Sequence, residues 1–288
     1  MRYTDLCSRN KQVLTMRKLV IATGNGYPEN TKAQIDIIAR VGWDGVFTGW
    51  DEENGNLELA DYIRSKGLIY QSIHAPFNKI DKMWEDDELG DWSQERMIRC
   101  IKDCADAQVP IMVLHTIIGM EKHTPNELGL YRFGKVIEAA EKYGVNLGFE
   151  NTEGEEYLET ILNRYADSSR VGFCIDTGHE MCYNERRDLI TKYGNKLICT
   201  HLNDNMGRTG ENITWLDDAH LLPFDGSADW QGIANRLNAA GYGGELTFEL
   251  TSKSKPGHNT HDIYNHLDLE GFVSLALERA KKFAQMVG

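Results

Sequence analysis

The chain has no Cys-x-x-Cys pair, no apolar run long enough to cross a membrane, no excess of basic residues and no low-complexity tract or linker. Each absence excludes something. Without a paired-cysteine pattern, the six cysteines (Cys7, Cys100, Cys104, Cys174, Cys182 and Cys199) read as small core residues rather than a disulfide framework or a zinc site. Without a membrane-length run, a helical membrane span is not expected. Lysine and arginine number 31 against 44 acidic residues, a formal charge of −13. That balance repels phosphodiester backbones, so nucleic acid is disfavoured as a partner. The opening stretch MRYTDLCSRNKQVLTMRK lacks the apolar core of a secretory signal. It is expected to form an extension over residues 1–18, with one domain over 19–288, in a reducing, cytoplasmic compartment.

What is present is alternation. Short apolar runs at Leu19–Ala22, Gly45–Phe47, Ile69–Ile73, Ile111–Leu114, Asn146–Phe149, Val171–Ile175, Leu197–Thr200 and Leu246–Phe248 read as strands. Between and after them, helical spacing covers Thr31–Val41, Leu57–Lys66, Gln94–Ala107, Glu127–Tyr143, Tyr157–Tyr165, Glu185–Tyr193, Trp230–Ala240 and Glu270–Met286. Gly67, Gly144, Gly194 and Gly241 stand where left-handed caps belong. Eight such units predict an α/β fold, a closed (β/α)₈ barrel of one domain with long loops on the face where the strands end. A doubly wound sheet is the rival, but the first turn, ATGNGYPEN, lacks the third glycine of a dinucleotide fingerprint. The longest loops are 77–93, 203–228 and 251–269, and Trp50, Trp84, Trp92 and Trp215, all in loops that follow strands, are candidate apolar walls of a substrate pocket.

Four of the strands stop at a potential metal ligand: NLGFE at Glu150, GFCID at Asp176, ICTH at His201 and LTFE at Glu249. Strand ends of a barrel share one face, so the four side chains would meet there. Three carboxylates and an imidazole suit one divalent ion, Mn²⁺, Zn²⁺, Co²⁺ or Mg²⁺, with positions left for substrate oxygens. His179 follows Asp176 by one turn, and Asn203 and Asp204 follow His201, where they could orient its ring. His74 and His115 end strands three and four, and Asp218 and His220 lie in the seventh loop. His258, His261 and His266 in the last long loop read as solvated residues.

The segments FENT, CIDTGH and HLND, the glutamate ending strand eight, and PFDGSADW before the seventh helix resemble the xylose isomerase-like barrel superfamily. That superfamily groups sugar isomerases, ketose 3-epimerases, inosose dehydratase-type enzymes and endonuclease IV. The resemblance implies Glu150, Asp176, His201 and Glu249 as metal ligands. It makes Glu150 and Glu249 the acid/base pair that moves a substrate proton beside a carbonyl, and His74, His115, His179, Arg208 and His220 substrate contacts. The implied substrate is a sugar or sugar phosphate, and a homo-oligomer is compatible with such barrels. The resemblance also carries an alternative. His74, His115, Asp218 and His220, added to Glu150, Asp176, His179, His201 and Glu249, match in type the nine ligands of an endonuclease IV-like trinuclear zinc phosphodiesterase. Dehydration of a polyol ketone, the inosose type, is a chemical neighbour of isomerisation.

Overall fold

The computed structural model describes residues 17–121, 124–208 and 210–288. Most of the 1–18 extension, including Cys7, lies outside the described residues. Strands β1 (Leu19–Ala22), β2 (Gly45–Gly49), β3 (Ile69–His74), β4 (Ile111–His115), β5 (Asn146–Glu150), β6 (Val171–Asp176), β7 (Leu197–His201) and β8 (Leu246–Phe248) form one parallel sheet. Its order is β7-β6-β5-β4-β3-β2-β1-β8. The ends meet through a parallel bridge between Leu202 and Phe248 and a 3.0 Å bond from Thr247 N to Thr200 Oγ1. The closed sheet is the expected barrel.

Helices α1 (Thr31–Val41), α2 (Leu57–Ser65), α3 (Glu88–Asp106), α4 (Glu127–Tyr143), α5 (Glu155–Arg164), α6 (Thr177–Cys182), α7 (Leu189–Tyr193), α8 (Trp230–Ala239) and α9 (Leu269–Ala284) lie between or after the strands. The period of two along each strand divides the core. Leu147, Phe149, Phe173, Ile175 and Phe248 join the cluster that packs the helices on the sheet. Ile111, Val113, Cys174 and Cys199 form a separate cluster inside the barrel. Small residues make that interior possible. A Cβ on Gly172 would stand 2.6 Å from Ile198 Cδ1, so only glycine lets the strands approach there.

Three expectations need correction. Gly194 is no left-handed cap, since its φ is −60°. The sixth helix was expected over Glu185–Tyr193, but Glu185 and Arg186 take positive φ, 56° and 57°, and helix α7 starts only at Leu189. The extra helix α6 begins directly at the end of β6, with the Asp176 side chain capping it by accepting from His179 N. The loop expected over 77–93 is largely ordered. Ile80–Trp84 is a 3₁₀ turn, and Asp87 caps α3 by accepting from Gly90 N. Trp92 therefore sits on α3, and Trp84 is buried against Phe133 and Tyr157.

Candidate metal centre

The period of two that builds the core also aims the site. Val113, Cys174 and Cys199 face the barrel interior, so His115, Asp176 and His201, two residues further on, face it at the rim. Glu150 and Glu249 arrive the same way, two residues beyond Gly148 and Thr247. Glu150, Asp176, His201 and Glu249 each bring a ligand atom within 4.8 Å of the others. The four residues singled out in the sequence thus converge on one point.

Glu150 is the hub. It has no exposure to solvent, and its two oxygens face four imidazoles. Oε1 is 3.0 Å from His201 Nδ1 and 3.6 Å from His179 Nδ1. Oε2 is 3.2 Å from His74 Nε2 and 3.3 Å from His115 Nε2. Burial alone would raise this carboxyl, but His201, His115 and His74 outweigh it and hold Glu150 well below the usual range. Glu249 Oε2 also lies 3.0 Å from His201 Nδ1, yet its side chain keeps 29% exposure. Its carboxyl is lowered to about 2, burial being overcome chiefly by His201. Asp176 moves the other way, up to about 6, because burial exceeds the help from His179 and His220.

Asp176 is held rigidly. Oδ1 accepts from His179 N at 2.7 Å, and Oδ2 accepts from Asn203 Nδ2 at 2.9 Å. Asn151 brackets the same residue, donating to its carbonyl at 2.9 Å and accepting from its amide at 2.7 Å. The asparagine after Glu150 was the available signal for that bracket. Asn203 therefore steadies Asp176 rather than the His201 ring, which is stacked instead on Phe47, centroids 4.6 Å apart. Asp204 is not a site residue at all. Its carboxylate accepts from Trp230 Nε1, Phe224 N and Ala228 N and so ties down the seventh loop.

A second group lies beside the first. His179 Nε2 is 3.5 Å from Asp218 Oδ2, and His220 Nε2 is 3.0 Å from the same carboxylate. Asp218 is kept well below its ordinary value because His220 and His179 override its burial. Three further sets also offer ligand atoms within 4.8 Å: His74, His115 and Glu150; Asp176, His179 and His220; and, inside the barrel, Cys174, Cys199 and His201. Arg208 is not brought in. Its guanidinium donates to Gly210 O and lies 3.5 Å from Glu185, away from the cavity.

The residues fit a divalent cation. Three carboxylates crowded at this depth repel one another, and hard oxygens with one imidazole are the donors Mn²⁺, Mg²⁺, Co²⁺ and Zn²⁺ accept. His201 presents Nδ1 to the oxygens of Glu150 and Glu249, while its Nε2, like His115 Nδ1, is buried without a hydrogen-bond partner. Above the centre opens a cavity of about 720 Å³, bordered by His74, His115, His179, His220 and Glu249. Of the four tryptophans expected to wall it, only Trp215 does.

Against known proteins, the sequence profile described as the xylose isomerase-like TIM barrel matches residues 35–268. The chain belongs to that family. An uncharacterized protein, y4fM, of Sinorhizobium fredii is 27% identical, over 88% of this chain and 93% of its own. A probable endonuclease 4 of Mycoplasma capricolum is 26% identical over 50% of this chain and 54% of its own. Among solved structures, the IolI protein with a bound zinc atom aligns with a TM-score of 0.76 at 16% identity, covering 94% of this chain and 99% of that one. A D-tagatose 3-epimerase-like protein aligns at 0.71 and 18% identity, covering 94% and 98%. At such identities the structural likeness is one of fold.

Proposed function

We propose that the protein is a divalent-metal-dependent sugar isomerase or epimerase, and that Glu249 moves the substrate proton. The observation that carries this reading is the convergence of Glu150, Asp176, His201 and Glu249 within 4.8 Å at the floor of an open cavity. These four residues would hold the ion. When bound, such an ion polarises a carbonyl and stabilises the negative charge that follows loss of the adjacent proton.

The two glutamates are not equivalent. Both line the cavity, but Glu150 is fully buried with both oxygens facing histidines, whereas the Glu249 side chain stays 29% exposed. Glu249 is therefore the group placed to take a proton from carbon and return it. A single base working from one face shuttles a proton between neighbouring carbons, which favours isomerisation over two-sided epimerisation. His74, His115, His179 and His220 border the cavity and are placed to bind hydroxyls. Among the described residues Lys255 is the one lysine or arginine lining the cavity, and its Nζ is 3.7 Å from Asp218. With that charge already balanced, a neutral sugar fits better than a sugar phosphate. Among the described residues no helix is long and apolar enough to cross a membrane. The compartment we propose is cytoplasmic.

A second reading has its own observation. The sets His74–His115–Glu150 and Asp176–His179–His220, with Asp218 beside the latter, could hold two further ions. Three zincs would make a phosphoester hydrolase, the chemistry carried by the name of the endonuclease 4 relative. One experiment separates the two. Metal content is measured after reconstitution with Mn²⁺ or Zn²⁺, and ketoses are then incubated in D₂O and followed by proton NMR. About one ion per chain, with deuterium entering carbon beside the carbonyl, is expected. Three zincs with cleavage of bis(p-nitrophenyl) phosphate and no exchange would replace this reading with the hydrolase.

A further inference from the structure

Two loops meet over the second group of side chains and bring a lysine to it. The loop after β8 is tied to the seventh loop beside Asp218. Thr251 N donates to His220 O at 3.0 Å, and His261 Nε2 donates to Ala219 O at 2.8 Å. His261 N also donates to Ser254 Oγ, and His258 N to Lys255 O, both at 3.0 Å, so the chain around Lys255 is held in place. The lysine side chain is 24% exposed. Its ammonium lies 5.4 Å from the centre of the Trp215 ring and 3.7 Å from Asp218 Oδ2.

That oxygen is where a further ion would be held. His179 Nε2 is 3.5 Å and His220 Nε2 is 3.0 Å from the same atom. Both rings are oriented as ligands are. His179 Nδ1 is 2.9 Å from Asn151 O, and His220 Nδ1 is 3.1 Å from Glu249 O. A carbonyl only accepts, so each Nδ1 carries a hydrogen, and each Nε2 is the nitrogen left to bind a cation. Asp176 completes the set. A cation entering here would meet an ammonium 3.7 Å from one of its own ligand oxygens, in a buried place where water screens little.

We propose that Lys255 determines how many metal ions the protein takes. Its ammonium keeps the group of Asp176, His179, Asp218 and His220 free of metal and confines binding to the centre at Glu150, Asp176, His201 and Glu249. The inference rests on the sugar reading of the site and names the residue that protects it. Left without metal, His179 and His220 keep Nε2 open to substrate hydroxyls. Filled, the same side chains would serve a hydrolase. One lysine thus separates the two chemistries that this set of ligands permits.

The test counts ions in the full chain and in Lys255→Met, Lys255→Gln and Lys255→Arg. Each is equilibrated with zinc at a buffered free concentration, passed through gel filtration, analysed by plasma mass spectrometry and titrated calorimetrically. Methionine and glutamine remove the charge with little loss of length, and arginine keeps it. The native chain and the arginine variant should hold about one zinc, and the two neutral variants about two. The added ion should bind at least roughly 10²-fold more tightly than any second ion binds the native chain. A count of one in either neutral variant, or a second ion gained by Lys255→Arg as well, overturns the inference alone. More than one zinc on the native chain also overturns it, and deuterium exchange into a ketose by that protein decides whether the sugar reading falls with it. A native chain that takes up no metal overturns both.

Discussion

His201 Nδ1 stands 3.0 Å from Glu150 Oε1, and the same nitrogen is 3.0 Å from Glu249 Oε2. One imidazole nitrogen thus joins carboxylates from β5 and from the residue after β8, on opposite sides of the β6–β7 pair. A cation placed among these atoms would replace repulsion between the carboxylates by attraction to a shared charge. Bound metal should therefore stabilise the fold without being needed for it, because the cores on both faces of the sheet contain none of these ligands. At a free metal concentration near 100 times Kd the gain is about 2.7 kcal/mol. Differential scanning fluorimetry with and without chelator should show Tm rising with Zn²⁺ or Mn²⁺. In His201→Ala the metal-dependent rise should be largely lost, and an unchanged rise would place the ion elsewhere.

Glu249→Gln removes the proposed base while keeping the shape of the side chain. The variant should fold and bind metal with reduced affinity, since one of four ligands becomes neutral. Turnover should fall by at least about 10²-fold. Deuterium incorporation into a turned-over ketose, compared at matched metal occupancy, reads this directly. Near-native exchange would remove Glu249 from the mechanism.

The sequence revealed the barrel and the four converging residues for a single physical reason. A buried parallel strand is a short apolar run, and the residue that ends it must face the rim, so strand ends could be read as site positions. Loop geometry was less readable. Arg208 was a candidate because its loop lies on the correct face, yet the local backbone turns it onto Gly210 and Glu185. The helix expected from Glu185 fails because two consecutive residues adopt left-handed backbone, which apolar periodicity does not report. Asp204 looked like a site residue because it follows His201. Its role in holding the Trp230 indole depends on a contact 26 residues away. Of the apolar side chains lining the cavity Trp215 was expected from its loop, whereas Phe77, Ile118, Met120, Tyr183 and Ile213 were not, because they come from four separate loops.

His261 is the exception among the histidines expected to be solvated, being 1% exposed. Its Nε2 donates to Ala219 O at 2.8 Å, while Nδ1 is 2.9 Å from Thr260 Oγ1, an arrangement that suits the neutral ring. Burial lowers its pKa from 6.5 to about 4. In the unfolded chain the ring binds its proton more readily, so the contribution to stability is complete above about pH 6.5 and is lost as pH falls towards 4. The loss should amount to about 2–3 kcal/mol. Urea midpoints measured from pH 4 to 7 should fall less steeply with acid for His261→Gln than for the native chain. Parallel curves would show that another group controls the acid side.

Gly129 tests the packing beneath the catalytic-face loops. It lies in the first turn of α4, where its N–H donates to the Asn126 cap at 2.9 Å, and the Trp84 indole packs against it. A Cβ built there would come within 1.9 Å of Trp84 Cε3. The indole cannot swing aside easily, because its Nε1 donates to Thr116 O at 2.8 Å and its ring is 4.5 Å from that of Tyr157. Alanine ordinarily favours a helix over glycine by up to about 1 kcal/mol. Here the clash should dominate, for a net loss of about 1–3 kcal/mol read from urea unfolding. Thr116 directly follows His115, so displacement of Trp84 should also disturb the rim at β4. Lowered metal affinity in Gly129→Ala would show that coupling, whereas a loss of stability alone would confine the role of Trp84 to packing.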